Sequence, residues 1–146
     1  MTQAYSPAGL DHDRLREIFL TSPFIRLLDI RIETIEPDRC VLRLPFRDDL
    51  LQPGGLVHGG AIASLVDSAA AIALFTGLER PPKKVATIDL HMSYLNAVRD
   101  EDLLAEATVR RRGRSVVYLA ADVTTPEGRD IAHAELVFRV VLGDPA

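Results

Sequence analysis

The sequence predicts an α+β protein in which one long central helix packs on an antiparallel sheet of about five to six strands. Three observations carry this. Residues 61–75 are an alanine-rich run of good helix formers whose only charge is Asp67, and Gly59-Gly60 and Gly77 mark its boundaries. Two strand-like runs precede that helix and four follow it, with short turn-forming segments between them. A helix set between blocks of consecutive strands predicts a helix layer on a curved antiparallel sheet, since parallel sheets need alternating strands and helices. The chain of 146 residues suits a single domain, taken as 1–146, and is long enough for one hydrophobic core.

Residues 1–9, with Ser6-Pro7 and Gly9, are expected to form a poorly ordered leader. Asp11 can cap a short helix running to about Leu20, with Leu15, Ile18 and Phe19 as its inward stripe and His12 on a solvated face. Phe24, Leu27 and Leu28 lead into a first strand over 30–35. A Glu36-Pro37-Asp38 turn joins it to a second over 40–46, in which Val41 and Arg43 alternate with Leu42 and Leu44. Residues 48–55 form the loop into the central helix. After Gly77, the charged stretch 79–84 with its two prolines reads as a surface connection. Strands are then expected over 86–95, 103–111, 115–124 and 131–141, the last three joined by turns at 112–114 and 126–128. In the first of these, Ile88, Leu90, Met92 and Tyr94 should face one way and Thr87, Asp89, His91 and Ser93 the other. The polar row marks a site, a subunit interface or simply a solvated sheet face.

Lys and Arg number 17 against 21 Asp and Glu, a formal net charge of −4 that gives no support to a nucleic-acid-binding surface. An anionic substrate would need a local basic patch. The one cysteine, Cys40, cannot form an internal disulfide, and the N-terminal region lacks the pattern of a secretory signal. A cytoplasmic protein without a membrane partner is the expectation. The helical run from Gly59 to Gly77 spans roughly 28 Å at 1.5 Å per residue and has polar ends, which does not suit a membrane crossing. His12, His58, His91 and His133 lack short ligand spacing, so no metal is expected. Residues 52–55 contain no lysine and make no phosphate-binding loop. Ser64 and Ser68 lie inside the helix and not on a nucleophile elbow.

Asp67 is the informative charge. Its helical neighbours are Ala63, Ser64, Ala70 and Ala71, so no cation on the same helix pairs with it, and an unpartnered buried carboxylate is costly. It is either a structural aspartate bonded from elsewhere or a catalytic carboxylate, and its context favours the second. His58-Gly59-Gly60 likewise has two readings. It is a glycine-marked turn into a helix, or a place where a substrate oxygen approaches the free N–H groups of the helix start.

Together, Gln52, His58-Gly59-Gly60, Asp67 and Thr87-Ile88-Asp89-Leu90 resemble the hotdog-fold acyl-CoA thioesterases of the phenylacetate-degradation type, over about residues 25–141. That resemblance implies a sheet wrapped round one central helix, and a homodimer or homotetramer. It also implies Gln52 and the Gly59 N–H as donors to the thioester carbonyl, with Asp67 of the partner subunit as general base or nucleophile. Thr87 would hold the water, His58 would shape the helix entrance or bond the substrate, and Gly60 is a further candidate substrate contact. Gly59 and Asp67 lie eight residues apart, about 12 Å along one helix, so one chain cannot bring both to one carbon. Two antiparallel helices in a two-fold dimer can.

No separate cofactor is implied, because coenzyme A would arrive as part of the acyl-CoA substrate. Arg112 and Arg114 are candidate contacts for its phosphates, or solvated turn residues. The family often has Leu-Arg-Pro after the strand that follows the helix, where this chain has Leu95-Asn96-Ala97. Two alternatives remain: a hotdog dehydratase or hydratase, whose His-Phe-Pro segment is absent, and an acyl-CoA-binding module without turnover.

Overall fold

A computed structural model describes residues 11–144; the expected leader lies outside them. Helix α1, His12–Thr21, starts where the sequence places it, the Asp11 carboxylate accepting from the Asp13 N–H at 3.1 Å. Leu15 is buried and Phe19 packs on the core, but Ile18, expected on the inward stripe, is 52% exposed. Residues 23–28, read as a lead-in to a strand, are instead a second helix, α2, Pro23–Leu28. Pro23 occupies its first turn, where a missing N–H costs nothing, and six residues are too few to show a helical period.

The strands are β1 (Arg31–Glu36), β2 (Arg39–Leu44), β3 (Pro82–Tyr94), β4 (Leu103–Arg112), β5 (Val116–Thr124) and β6 (Asp130–Leu142), and the central helix α3 spans Gly59–Thr76 between β2 and β3. They form one antiparallel sheet in the order β1-β2-β4-β5-β6-β3, leaving β3 at an edge. This is the hotdog fold. Strand β3 reaches back into the stretch expected to be a connection, with Pro82 opposite Leu142 and Lys84 opposite Val141. Proline is compatible with a strand at its first residue, where no ladder N–H is needed.

A second departure in β3 moves a site residue. The register shifts between Thr87 and Asp89, so Thr87 lies opposite the core residue Phe138 while Leu90 lies opposite the buried Leu136. One extra residue, Ile88, breaks the strict alternation. Thr87 therefore shares the helix-facing side with Leu90 and Met92, whereas Asp89, His91 and Ser93 remain on the exposed side. Alternation alone had grouped Thr87 with them.

Helix α3 buries Ile62, Leu65, Val66, Ala69, Ala70, Ile72, Ala73 and Leu74, chiefly against β4, β2 and β5. The opposite stripe of Ala63, Ser64, Asp67, Ser68, Ala71 and Phe75 is only half-buried, so within one chain the helix is not enclosed on every side. Among the described residues α3 is the one helix long and apolar enough to cross a membrane, yet half of it is buried as a core helix. Its C-terminal end is tied to the sheet. Arg112 donates to the Leu74 carbonyl at 3.2 Å and to Asp38 at 2.5 Å, and the Asp38 N–H donates to Thr76 Oγ1 at 2.8 Å. A Cβ at Gly77 would come within 2.3 Å of Asp38 Oδ1 and 2.4 Å of Arg112 Nη2, so only glycine fits beside that pair.

Candidate active site

The loop before α3 folds back on itself. Gln52 N–H donates to Leu56 O and Gly55 N–H to Gln52 O, with Gly55 in the left-handed region (φ 76°) that favours glycine. The Gln52 side-chain oxygen accepts from the Gly54 N–H, which orients the amide and leaves its Nε2 hydrogens free to donate. His58 is the N-cap. Its Nδ1 accepts from the Gly60 N–H at 2.8 Å, so the ring proton of the neutral form sits on Nε2. The Ala61 and Ile62 N–H groups both donate to the His58 carbonyl, at 2.9 and 3.3 Å.

One donor of the first turn is left over: among the described residues the Gly59 N–H has no partner. It opens onto a cleft of about 320 Å³ also lined by Gln52, Ile62, Tyr94 and Asn96. Tyr94 Oη donates to the Gly59 carbonyl at 2.9 Å and so fastens the helix start to the end of β3. The sequence reading treated Tyr94 only as one of an alternating row. Nothing in its local pattern marks it, because the contact joins residues 35 apart.

Asp67 lies in a different cleft, of about 360 Å³, with Thr87, Ser68 and an apolar wall that includes Phe24, Ala71, Phe75 and Phe138. Thr87 Oγ1 donates to Asp67 Oδ1 at 2.7 Å. No cation pairs with this carboxylate among the described residues. Ser64 and Ser68 spend their hydroxyl hydrogens on the carbonyls of Gly60 and Ser64, as mid-helix serines do. Thus Gln52 joins Gly59, Thr87 joins Asp67, and the two pairs stand apart in one chain.

The cations divide similarly. Arg112 is committed to the end of α3, whereas Arg114 is exposed in the β4–β5 turn. Asn96, standing where the family often has arginine, donates to the Asp130 carbonyl. Arg99 was not singled out from the sequence. Its Nη1 lies 4.0 Å from where a Cβ at Gly55 would stand, so it overhangs the Gln52 loop, and it has no ion-pair partner among the described residues. Burial pushes the Cys40 thiol up to about 12, so it is no nucleophile. Among the described residues no three His, Cys, Asp or Glu side chains converge as metal ligands.

One long helix packed on a six-stranded antiparallel sheet is the hotdog architecture, which this chain shares with a solved thioesterase family protein. A family model described as the thioesterase superfamily matches residues 54–132. A Halobacterium salinarum protein named provisionally as an esterase is 38% identical over 115 residues, covering 76% of this chain and 74% of its own. Acyl-coenzyme A thioesterase 13 of Mus musculus is 21% identical over 112 residues, covering 75% and 79%. The crystal structure of a thioesterase family protein from Silicibacter pomeroyi superposes with a TM-score of 0.81 at 27% identity, covering 90% of this chain and 98% of that one. The chain belongs to the thioesterase superfamily, and hydrolysis of thioesters is the chemistry this membership supports.

Proposed function

We propose that this protein hydrolyses an acyl-CoA thioester at composite sites formed by two copies of the chain. The observation that carries the reading is the pairing of a free Gly59 N–H with Gln52 in one cleft and of Asp67 with Thr87 in another. With two α3 helices antiparallel across a two-fold axis, the helix start of one subunit lies beside the middle of the other helix. The half-buried α3 stripe and the open edge of β3, with Ile88 58% and Leu95 55% exposed, supply the surface for that partner. Tetramers would add a second interface between such dimers.

In this site the thioester oxygen accepts from the Gly59 N–H and the Gln52 amide, donors placed to strengthen as negative charge develops. Asp67 of the partner subunit, oriented by Thr87, removes a proton from water as the water oxygen attacks the carbonyl carbon. Collapse of the tetrahedral intermediate breaks the C–S bond, and the thiolate of coenzyme A takes the proton back. Direct attack by Asp67 gives the same products through an anhydride, and ¹⁸O in Asp67 after single turnover in ¹⁸O-water identifies that route where water opens the anhydride at the Asp67 carbonyl. His58 and Gly60, whose mutual hydrogen bond caps α3, hold the Gly59 N–H at the helix start. Arg114 and Arg99 are candidate cations for the phosphates of coenzyme A.

The murine relative's name supports coenzyme A as the carrier. Thiol release from a panel of acyl-CoAs by purified protein tests the reading. Free coenzyme A at catalytic rates is expected. Saturable binding without product would favour a binding module, and hydration of an enoyl-CoA would favour the hydratase alternative.

A further inference from the structure

We propose that the acyl group is a linear apolar chain of medium length, held in a slot running from Asp67 along the C-terminal half of α3 beneath α1, with Ala71 in its wall. The inference rests on the thioesterase reading and names the substrate class of that site.

The cleft that holds Asp67 and Thr87 adjoins a second, larger cavity of about 440 Å³. Both are bounded by Phe19, Ala71, Phe75 and Val85, so the two adjoin across these side chains. Beyond these shared walls the second cavity adds Leu15, Ile18 and Ile72, and it ends beside Pro82, Lys83 and Lys84. Between the carboxylate and the lysines the lining is apolar apart from Ser68 and the half-buried Ser22. Ser68 donates to Ser64 O, and Lys83 is paired with Asp144 at the far end. From Asp67 to Phe75 the helix advances roughly 12 Å, at 1.5 Å per residue.

Two otherwise unexplained features follow from such an occupant. Ile18 is 52% exposed although it lines the slot, and a bound chain would cover it. Ala71, the smallest of the four shared wall residues, presents only a methyl group where the two cavities adjoin. A slot of this composition recognises methylene groups and disfavours a charged or strongly hydrated acyl group, because between Ser22 at one end and the lysines at the other a buried polar group meets only apolar walls. Each methylene buried adds about fourfold to binding until the slot is full. Longer chains then pass into solvent beside the lysines and gain nothing further.

The test is kcat/KM for the saturated series from acetyl-CoA to palmitoyl-CoA, with calorimetric titration of decanoate as a readout independent of turnover. A steep rise that levels off at medium length is expected, and a flat profile overturns the slot. Ala71→Leu should lower the ratio of decanoyl-CoA to acetyl-CoA kcat/KM by about tenfold or more, the worth of two buried methylenes. Ile18→Ser, at a half-exposed position that folding tolerates, should lower it by several-fold and carries the test if Ala71→Leu does not fold. An unchanged ratio in a folded variant overturns the proposal. Turnover with a flat profile removes the slot and leaves hydrolysis standing. Absence of turnover, with decanoate bound by wild type and lost in the variants, removes hydrolysis and leaves the slot.

Discussion

At the scale of single residues, Asp67 carries the most weight. It is a carboxylate on an alanine-rich helix, held among the described residues by one threonine hydroxyl and no cation. Asp67→Asn preserves its shape and removes its charge. Single-turnover thiol release should fall by about 10²- to 10⁴-fold while the melting temperature stays near wild type. The reverse result, wild-type release from a folded but destabilised variant, would make Asp67 structural. Gln52→Ala should lower kcat by about 10²-fold with little change in KM, as expected for a donor that acts mainly on the developing oxyanion. Unchanged turnover would reduce Gln52 to a member of its own turn.

Elements are held in place by polar anchors at their ends. Arg112 sits at the C-terminal end of α3, where carbonyls and the helix dipole favour a cation, and it also reaches Asp38 in the β1–β2 turn. Arg112→Ala should cost about 1–2 kcal/mol by denaturant titration. Asp102 performs a similar task at the exit from β2, accepting from the Phe46 N–H at 2.8 Å and from Arg43 at 3.0 Å. The Phe46 N–H, followed by Arg43, holds its carboxyl below the usual carboxylate range despite partial burial. A depressed folded-state pKa contributes stability that is present above the unfolded-state pKa and is lost as pH falls through the folded one. The stability gap between wild type and Asp102→Asn should therefore be constant near neutrality and close below about pH 4, near the ordinary aspartate pKa. Melting curves across that range provide the check, and a gap independent of pH would deny Asp102 this role.

On the proposed reading the whole molecule is a half-site: one chain separates Gly59 from Asp67 by eight residues of a rigid helix, so the proposed chemistry requires a second chain. Light scattering at micromolar concentration should give a dimer or tetramer, and specific activity should fall on dilution through the dissociation range. A stable monomer with full activity would contradict the composite site. The α3 stripe that is half-buried in one chain, together with the β3 edge, is where protection from hydrogen exchange should appear on assembly.

The sequence by itself determined the central helix, the strand count and the loop–helix–strand segments bearing Gln52, Gly59, Asp67 and Thr87, because these depend on local composition and on periods of two and 3.6. It could not determine how those residues meet. The α2 helix was too short to have a period, and the prolines at 81–82 concealed the start of β3. The bulge at Ile88 is a property of pairing with β6, yet it turns Thr87 toward Asp67. Tyr94 on Gly59, Arg112 on the end of α3, and the adjoining clefts between α3 and α1 all join distant parts of the chain. Such contacts were settled only by tertiary packing, since which side chains touch depends on register and on how layers dock, neither of which a local pattern encodes.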